Sequence, residues 1–211
     1  MRRLYFVIYA VCLILFALLG YLAHQSHNFP GDSAINLWFE GIDLPFVDSM
    51  MQAVSSFSET IPAIITVALV ASVLWFFRRR LETAFVIMLP SLAVLLNLLL
   101  KVIIDRPRPG SELLDNGGLS FPSGHVTYAV VFFGFLFYLL PRLIKQPVIT
   151  MALRSLLVIL ILLTAVSRVY LGAHWMSDIL GSLLLGGLLL VPAIVLYRRY
   201  AIGRGGNARA S

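Results

Sequence analysis

The sequence predicts an all-α integral membrane protein: a bundle of six transmembrane helices, with an interfacial helix and a long irregular loop on the non-cytoplasmic side. Three observations carry this expectation. Of 211 residues, 60% are hydrophobic and 12% charged, whereas a soluble domain carries about 25% charged residues. Apolar stretches of about 20 residues, enough to cross a hydrocarbon core about 30 Å thick, recur along the whole chain. The basic residues, finally, are segregated to one set of span ends.

The first span, Leu4–Ala23, follows Arg2 and Arg3 as a signal peptide would. It has the length of a full crossing and no obvious small-residue cleavage site, so it reads as a retained span. The others run Ile61–Phe77, Glu82–Ile104, His125–Leu140, Val148–Val166 and Trp175–Tyr197. In Val47–Ser58, apolar Val47, Met50, Met51, Val54 and Phe57 recur at helical spacing opposite Asp48, Gln52 and Ser55, which predicts a helix lying on the bilayer face. Between the third and fourth spans, Asp105–Ser120 contains Pro107, Pro109, Gly110, Gly117 and Gly118 and is expected to be irregular. Residues 1–202 thus form one membrane-embedded domain, and Gly203–Ser211 reads as a disordered cytoplasmic tail.

Six spans place both termini on one side, and the Lys/Arg partition decides which. Arg2, Arg3, Arg78, Arg79, Arg80, Arg142, Lys145, Arg154, Arg198, Arg199, Arg204 and Arg209 share one set of ends with one acidic residue, Glu82. Asp32, Glu40, Asp43, Asp48, Glu59, Asp105, Glu112, Asp115 and Asp178 lie at the other. The chain is therefore expected to be a multi-pass protein of the cell (inner) membrane with cytoplasmic termini. Its net charge of +6 reflects this topology, so no nucleic acid partner is expected. The single cysteine, Cys12, excludes a disulfide framework and a cysteine-based zinc site.

Four basic residues, Lys101, Arg106, Arg108 and Arg168, remain on the non-cytoplasmic side against the charge rule. Lys101 closes the third span, His125 opens the fourth, Arg168 closes the fifth, and His174 with Asp178 opens the sixth. Taken singly, Lys101 could snorkel to the interface and Arg168 could pair with lipid phosphate. Together, cations, two imidazoles and a carboxylate at one membrane boundary make an anion site with proton-transfer groups. On a helix His174 and Asp178, four apart, would be neighbours, leaving one imidazole nitrogen bonded to the carboxylate and the other free to attack. Pro122-Ser123-Gly124-His125 suits a helix start, with Ser123 as candidate N-cap and exposed N–H groups for phosphate oxygens. Arg106 is expected to hold the loop against Asp105 or a lipid headgroup. His24 and His27 receive no role.

Three spaced motifs then carry a resemblance. Lys101-x6-Arg108-Pro109, Pro122-Ser123-Gly124-His125 and Ser167-Arg168-x5-His174-x3-Asp178, in this order, resemble the type 2 phosphatidic acid phosphatase superfamily, which also includes glucose-6-phosphatase and the vanadium haloperoxidases. No motif position departs from the pattern. The resemblance implies that His174 is a nucleophile forming a phosphohistidine, that Asp178 orients it, and that His125 is the general acid and later the base. It implies that Lys101, Arg108 and Arg168 bind phosphoryl oxygens, assisted by Ser123 and the Gly124 amide, on an active-site loop facing away from the cytoplasm. Ser167 supports from behind. The substrate class implied is a lipid phosphate or diphosphate, such as undecaprenyl diphosphate, phosphatidylglycerol phosphate, phosphatidic acid or diacylglycerol diphosphate. No cofactor and no metal are expected, because both histidines are in use and the carboxylates are scattered. A lipid phosphotransferase using the same histidine and an anion transporter are the alternatives, Asn97 being the main polar group at depth for the latter. A haloperoxidase would need bound vanadate. The sequence assigns no oligomeric state.

Overall fold

The computed structural model describes residues 2–26, 29–42, 44–109 and 118–207, with side chains from residue 3 to residue 201. In chain order the described helices are α1 (Arg2–Gln25), α2 (Asp32–Glu40), α3 (Pro45–Ser56), α4 (Thr60–Phe76), α5 (Arg80–Ile104), α6 (Gly124–Leu143), α7 (Pro147–Tyr170) and α8 (Met176–Asn207). Helices α1, α5, α6, α7 and α8 are each long and apolar enough to cross a membrane. The sixth expected span, α4, reaches crossing length together with α3, from which it is bent by 58°. Thr60 to Phe76 is 17 residues, about 26 Å of helix, and α3 turns away along the bundle end. Its bounds, Pro45–Ser56, fall close to the interfacial helix expected over Val47–Ser58.

Helix α6 is the hub, packing against α5, α7 and α8; α1 lies on α8 and α5, α4 on α5, and α3 on α7. A membrane offers no hydrophobic drive for helices to meet, so close backbone approach through small residues has to do the work. Gly181 and Gly186 on α8 supply it. A Cβ on Gly181 would stand 2.3 Å from Cζ of Phe121, and one on Gly186 2.5 Å from Cγ1 of Val130. Phe121 is fully buried and immediately precedes the Pro-Ser-Gly-His segment, so its seat on α8 fixes where α6 starts. Away from the site, Phe85 and Phe135 stack at 5.7 Å, with Tyr197 edge-on to both. The Tyr197 hydroxyl donates to Glu82 at 3.0 Å, which explains the lone carboxylate at that end. On the first span, Tyr9 donates to the Leu188 carbonyl at 3.1 Å.

Three details add to the sequence reading. Helix α2 was not anticipated; Gly31 in the left-handed region, φ +95°, turns the chain into it. Helix α3 turns Met51 and Ser55 onto the bundle and leaves Met50 and Phe57 exposed. Polar groups on α7 decide this: Ser55 accepts from Arg168, and Tyr170 donates to Asp48. Finally, α8 continues to Asn207, into the stretch read as tail; 208–211 lie outside the described residues, as do His27, Asp43, Glu112 and Asp115.

Candidate active site

The site is organised around the start of α8. Its first turn leaves backbone N–H groups without helical partners, and two carboxylates take them. Asp178 turns back so that Oδ2 accepts from the Trp175 N–H at 2.9 Å, and Asp32, from α2, accepts the Ser177 N–H at 3.0 Å. The Ser177 hydroxyl also donates to Asp32. Between the carboxylates lies Arg106. Its Nη1 donates to Asp178 Oδ1 at 2.6 Å and to Ser177 Oγ at 2.7 Å, and its Nη2 donates to Asp32 Oδ2 at 2.8 Å. Arg106 and Asp178 are 0% exposed and Asp32 4%, so the guanidinium and its two carboxylates form a desolvated network. It persists because each charge is paired and hydrogen-bonded. The Phe29 and Trp175 rings lie 4.9 and 5.5 Å from the guanidinium carbon. Arg106 is therefore no tether to Asp105 or to a headgroup: it fixes Asp178.

His174 lies just outside α8, so its closeness to Asp178 comes from the capping turn rather than from a shared helix face. The His174 N–H donates to the Arg168 carbonyl at 3.1 Å, tying the imidazole-bearing residue to the end of α7. Nδ1 stands 3.5 Å from Asp178 Oδ2, beyond a good hydrogen bond yet close enough to favour a proton on Nδ1 and a lone pair on Nε2. Burial pushes the imidazole well down from its ordinary value, to about 4; Asp178 pulls the other way, and Arg168 and Lys101 add to the depression. His174 is thus neutral at pH 7, the form in which Nε2 can attack.

The remaining expected residues converge on the same place. His125 lies within electrostatic reach of Arg168, His174, Lys101 and Arg108, and Lys101 within reach of Arg108, Asp178 and Arg168. Lys101 Nζ donates to the Leu119 carbonyl at 2.8 Å. Together with the Ser120 N–H to Arg106 carbonyl bond at 2.7 Å and a Pro107–Leu119 bridge, this pins both ends of the loop. Ser123 occupies the N-cap position of α6, but its hydroxyl makes no cap bond. Its N–H donates to Ser182 Oγ at 2.7 Å, and its carbonyl accepts from Thr127, which is held in turn by Asn97. Asn97 therefore braces the start of α6, and a Cβ on Gly124 would come 3.4 Å from its Oδ1. Ser167 donates to the Thr164 carbonyl, a backing contact. His24 Nδ1–H donates to the Ile104 carbonyl at 3.0 Å, joining α1 to α5.

Ser123 Oγ, His125 Nε2, Arg108 Nε and Arg168 Nε are all buried and make no hydrogen bond within the protein. Each such group costs about 1–3 kcal/mol when left unmatched, and here donors gather beside a positively charged helix start. Tetrahedral oxyanion chemistry is what such a set of groups fits. Among the described residues no three His, Cys, Asp or Glu side chains come together as a metal ligand set.

Sequence reasoning missed Asp32 and misread Arg106. The signals were present, Gly31-Asp32 opening an apolar-periodic segment and Arg106 inside the Lys101–Arg108 motif, but the contacts span 74 and 72 residues. Comparison with known proteins follows this geometry. Residues 81–201, more than half of the chain, match the model of the PAP2 superfamily. Over 181 residues the chain is 26% identical to phosphatidylglycerophosphatase B of Bacillus subtilis, covering 83% of this chain and 88% of that protein. The crystal structure of a transmembrane PAP2-type phosphatidylglycerolphosphate phosphatase from Bacillus subtilis superposes with a TM-score of 0.80 at 23% identity, over 90% of this chain and 96% of that one. LpxE of Aquifex aeolicus superposes at 0.62 and 19% identity, over 80% and 97%.

Proposed function

This chain belongs to the PAP2 superfamily, and from that premise we propose that it hydrolyses a membrane lipid phosphate or diphosphate through a phosphohistidine on His174. The observation that carries the reading is the set of buried, unmatched donors of Ser123, His125, Arg108 and Arg168 beside a neutral imidazole backed by Asp178.

Lys101, Arg108 and Arg168, with Ser123 Oγ and the Gly124 N–H, hold the phosphoryl oxygens and neutralise charge as the bond to the leaving group loosens. Nε2 of His174 forms the bond to phosphorus; the bond to the leaving oxygen breaks, and His125, held protonated by the phosphate anion bound beside it, gives that oxygen its proton. Asp178, held by Arg106, stabilises the imidazolium that forms. In the second half, His125 takes a proton from water, whose oxygen attacks phosphorus, and inorganic phosphate leaves while His174 returns to its neutral form. Every charge this scheme needs belongs to the chain, which supports a metal-independent mechanism.

A lipid substrate suits the depth of the site. Lys101 ends α5, His125 begins α6 and Arg168 ends α7, the level of headgroup phosphate, while the hydrocarbon chain stays between helices. Residues 1–202 form the catalytic domain, with the termini cytoplasmic and the site facing away. A cysteine replacing Glu40 in a Cys12-free protein should react with an impermeant reagent on intact cells, and one replacing Gln146 should not; the reverse pattern would invert the topology.

The experiment that tests the function is phosphate release from a panel of purified lipid phosphates in detergent, with EDTA present and no acceptor added. The proposal predicts turnover of at least one. Loss of substrate only when a lipid or sugar acceptor is supplied, with the phosphoryl group recovered on that acceptor, would make the protein a phosphotransferase, and no chemistry alongside anion uptake into vesicles would make it a transporter.

A further inference from the structure

At the end of the bundle opposite the candidate active site, a cavity of about 810 Å³ opens between α6 and α7, bounded by Phe137, Pro141, Lys145, Thr150 and Arg154. A second, of about 520 Å³, adjoins it along Phe137, Arg154 and Val158 and runs toward the midplane past Ile161, Leu183 and Leu190. One end of this groove is cationic and the other wholly apolar.

Arg154 sits at the junction. It lies seven residues past Pro147, the start of α7, about 10 Å along the helix, deeper than a residue that reaches bulk water directly. Its guanidinium carbon stacks 3.8 Å over the Phe137 ring, while Nε is buried and makes no hydrogen bond within the protein. An arginine at such depth is costly unless an anion meets it. Arg142 and Lys145 stand at the mouth, and no Asp or Glu lines either cavity. Arg142 is itself folded back, donating to the Tyr138 carbonyl at 2.8 Å. None of these groups belongs to the catalytic cluster.

We propose that this groove binds an anionic phospholipid of the leaflet opposite the candidate active site, with its phosphate on Arg154, its headgroup at Arg142 and Lys145, and an acyl chain along Val158, Ile161, Leu183 and Leu190. Charge complementarity selects an anion, and the apolar extension requires that the anion carry a chain. Basic pockets between transmembrane helices recognise lipid headgroups on these terms. In the orientation given above, this is the cytoplasmic leaflet.

The test is native mass spectrometry of the full chain in detergent with equimolar dioleoylphosphatidylserine and dioleoylphosphatidylcholine. Wild type should retain the anionic lipid preferentially, and Arg154→Gln should lower that preference about fivefold, the worth of one basic contact near a membrane surface. Arg154→Lys should restore part of it, and Arg142→Gln with Lys145→Gln, at the rim, should lower it without touching Arg154. Lipid phosphate hydrolysis in detergent should be the same in wild type and Arg154→Gln, which certifies the fold. The inference is overturned by no preference in wild type, by an unchanged preference in Arg154→Gln, or by displacement with millimolar inorganic phosphate, which would mean a soluble-anion site. Should Arg154→Gln fail to fold, an unchanged preference in the rim variant overturns it equally.

Discussion

Arg106 donates to Asp178 at 2.6 Å across 72 residues of sequence, with both side chains fully buried. The carboxylate that faces His174 is therefore set by the loop after α5, and that loop is set by Asp32 on α2. Position, rather than charge alone, is what Arg106 supplies.

Removing one partner from a buried, hydrogen-bonded ion pair costs about 3–5 kcal/mol. Arg106→Leu should lower thermal stability by an amount of that order, and Asp32→Asn by less, since a neutral amide still meets the Ser177 N–H. In the double variant the losses should fall short of additive by about 1 kcal/mol or more, because the two groups share one network. Additive losses would show that Asp32 and Arg106 act independently.

The pH dependence has a defined sign. Burial holds His174 at about 4, below the ordinary 6.5, so between those values the unfolded chain binds more protons than the folded one. Stability contributed by neutral His174 is complete above pH 6.5 and is lost as pH falls toward 4. In NMR of ring-labelled protein, the His174 resonances should remain those of a neutral imidazole at pH 5.5. The acid limb of kcat/KM assigned to this residue should lie below 6.5. Titration of the ring at or above 6.5 would contradict the buried geometry.

The demand on His125 should depend on the leaving group. General acid catalysis contributes about 10²–10⁴-fold and matters most for a basic departing oxygen. His125→Ala should therefore slow single-turnover hydrolysis of phosphatidic acid far more than that of p-nitrophenyl phosphate or a lipid diphosphate. Equal losses across these substrates would reduce His125 to phosphate binding or water activation.

The spans and the ring of candidate site residues were legible because both are local or boundary properties. Apolar runs mark crossings, and Lys101, His125 and Arg168 announce themselves by standing at span ends. The His174–Asp178 pair was legible from spacing, although the structure achieves it by a capping turn before α8 instead of one helix face. What could not be read is long-range. Asp32 caps the Ser177 N–H across 145 residues, and the helix start at Gly31-Asp32 marks a local turn without saying which distant group its carboxylate meets. Helix α3 turns Ser55 and Asp48 inward because Arg168 and Tyr170 await them on α7, a preference that amphipathic spacing within α3 cannot encode.

The account stands or falls on whether His174 carries the phosphoryl group, and the most direct measurement is a brief pulse with a lipid phosphate labelled at its terminal phosphoryl group, followed by rapid quenching and peptide mapping. Acid-labile label should appear on the His174 peptide, decay as inorganic phosphate is released, and vanish in His174→Ala, whose turnover should fall below a tenth of wild type. Label on another residue, or undiminished turnover and labelling in His174→Ala, would contradict the nucleophile assignment and with it the mechanism.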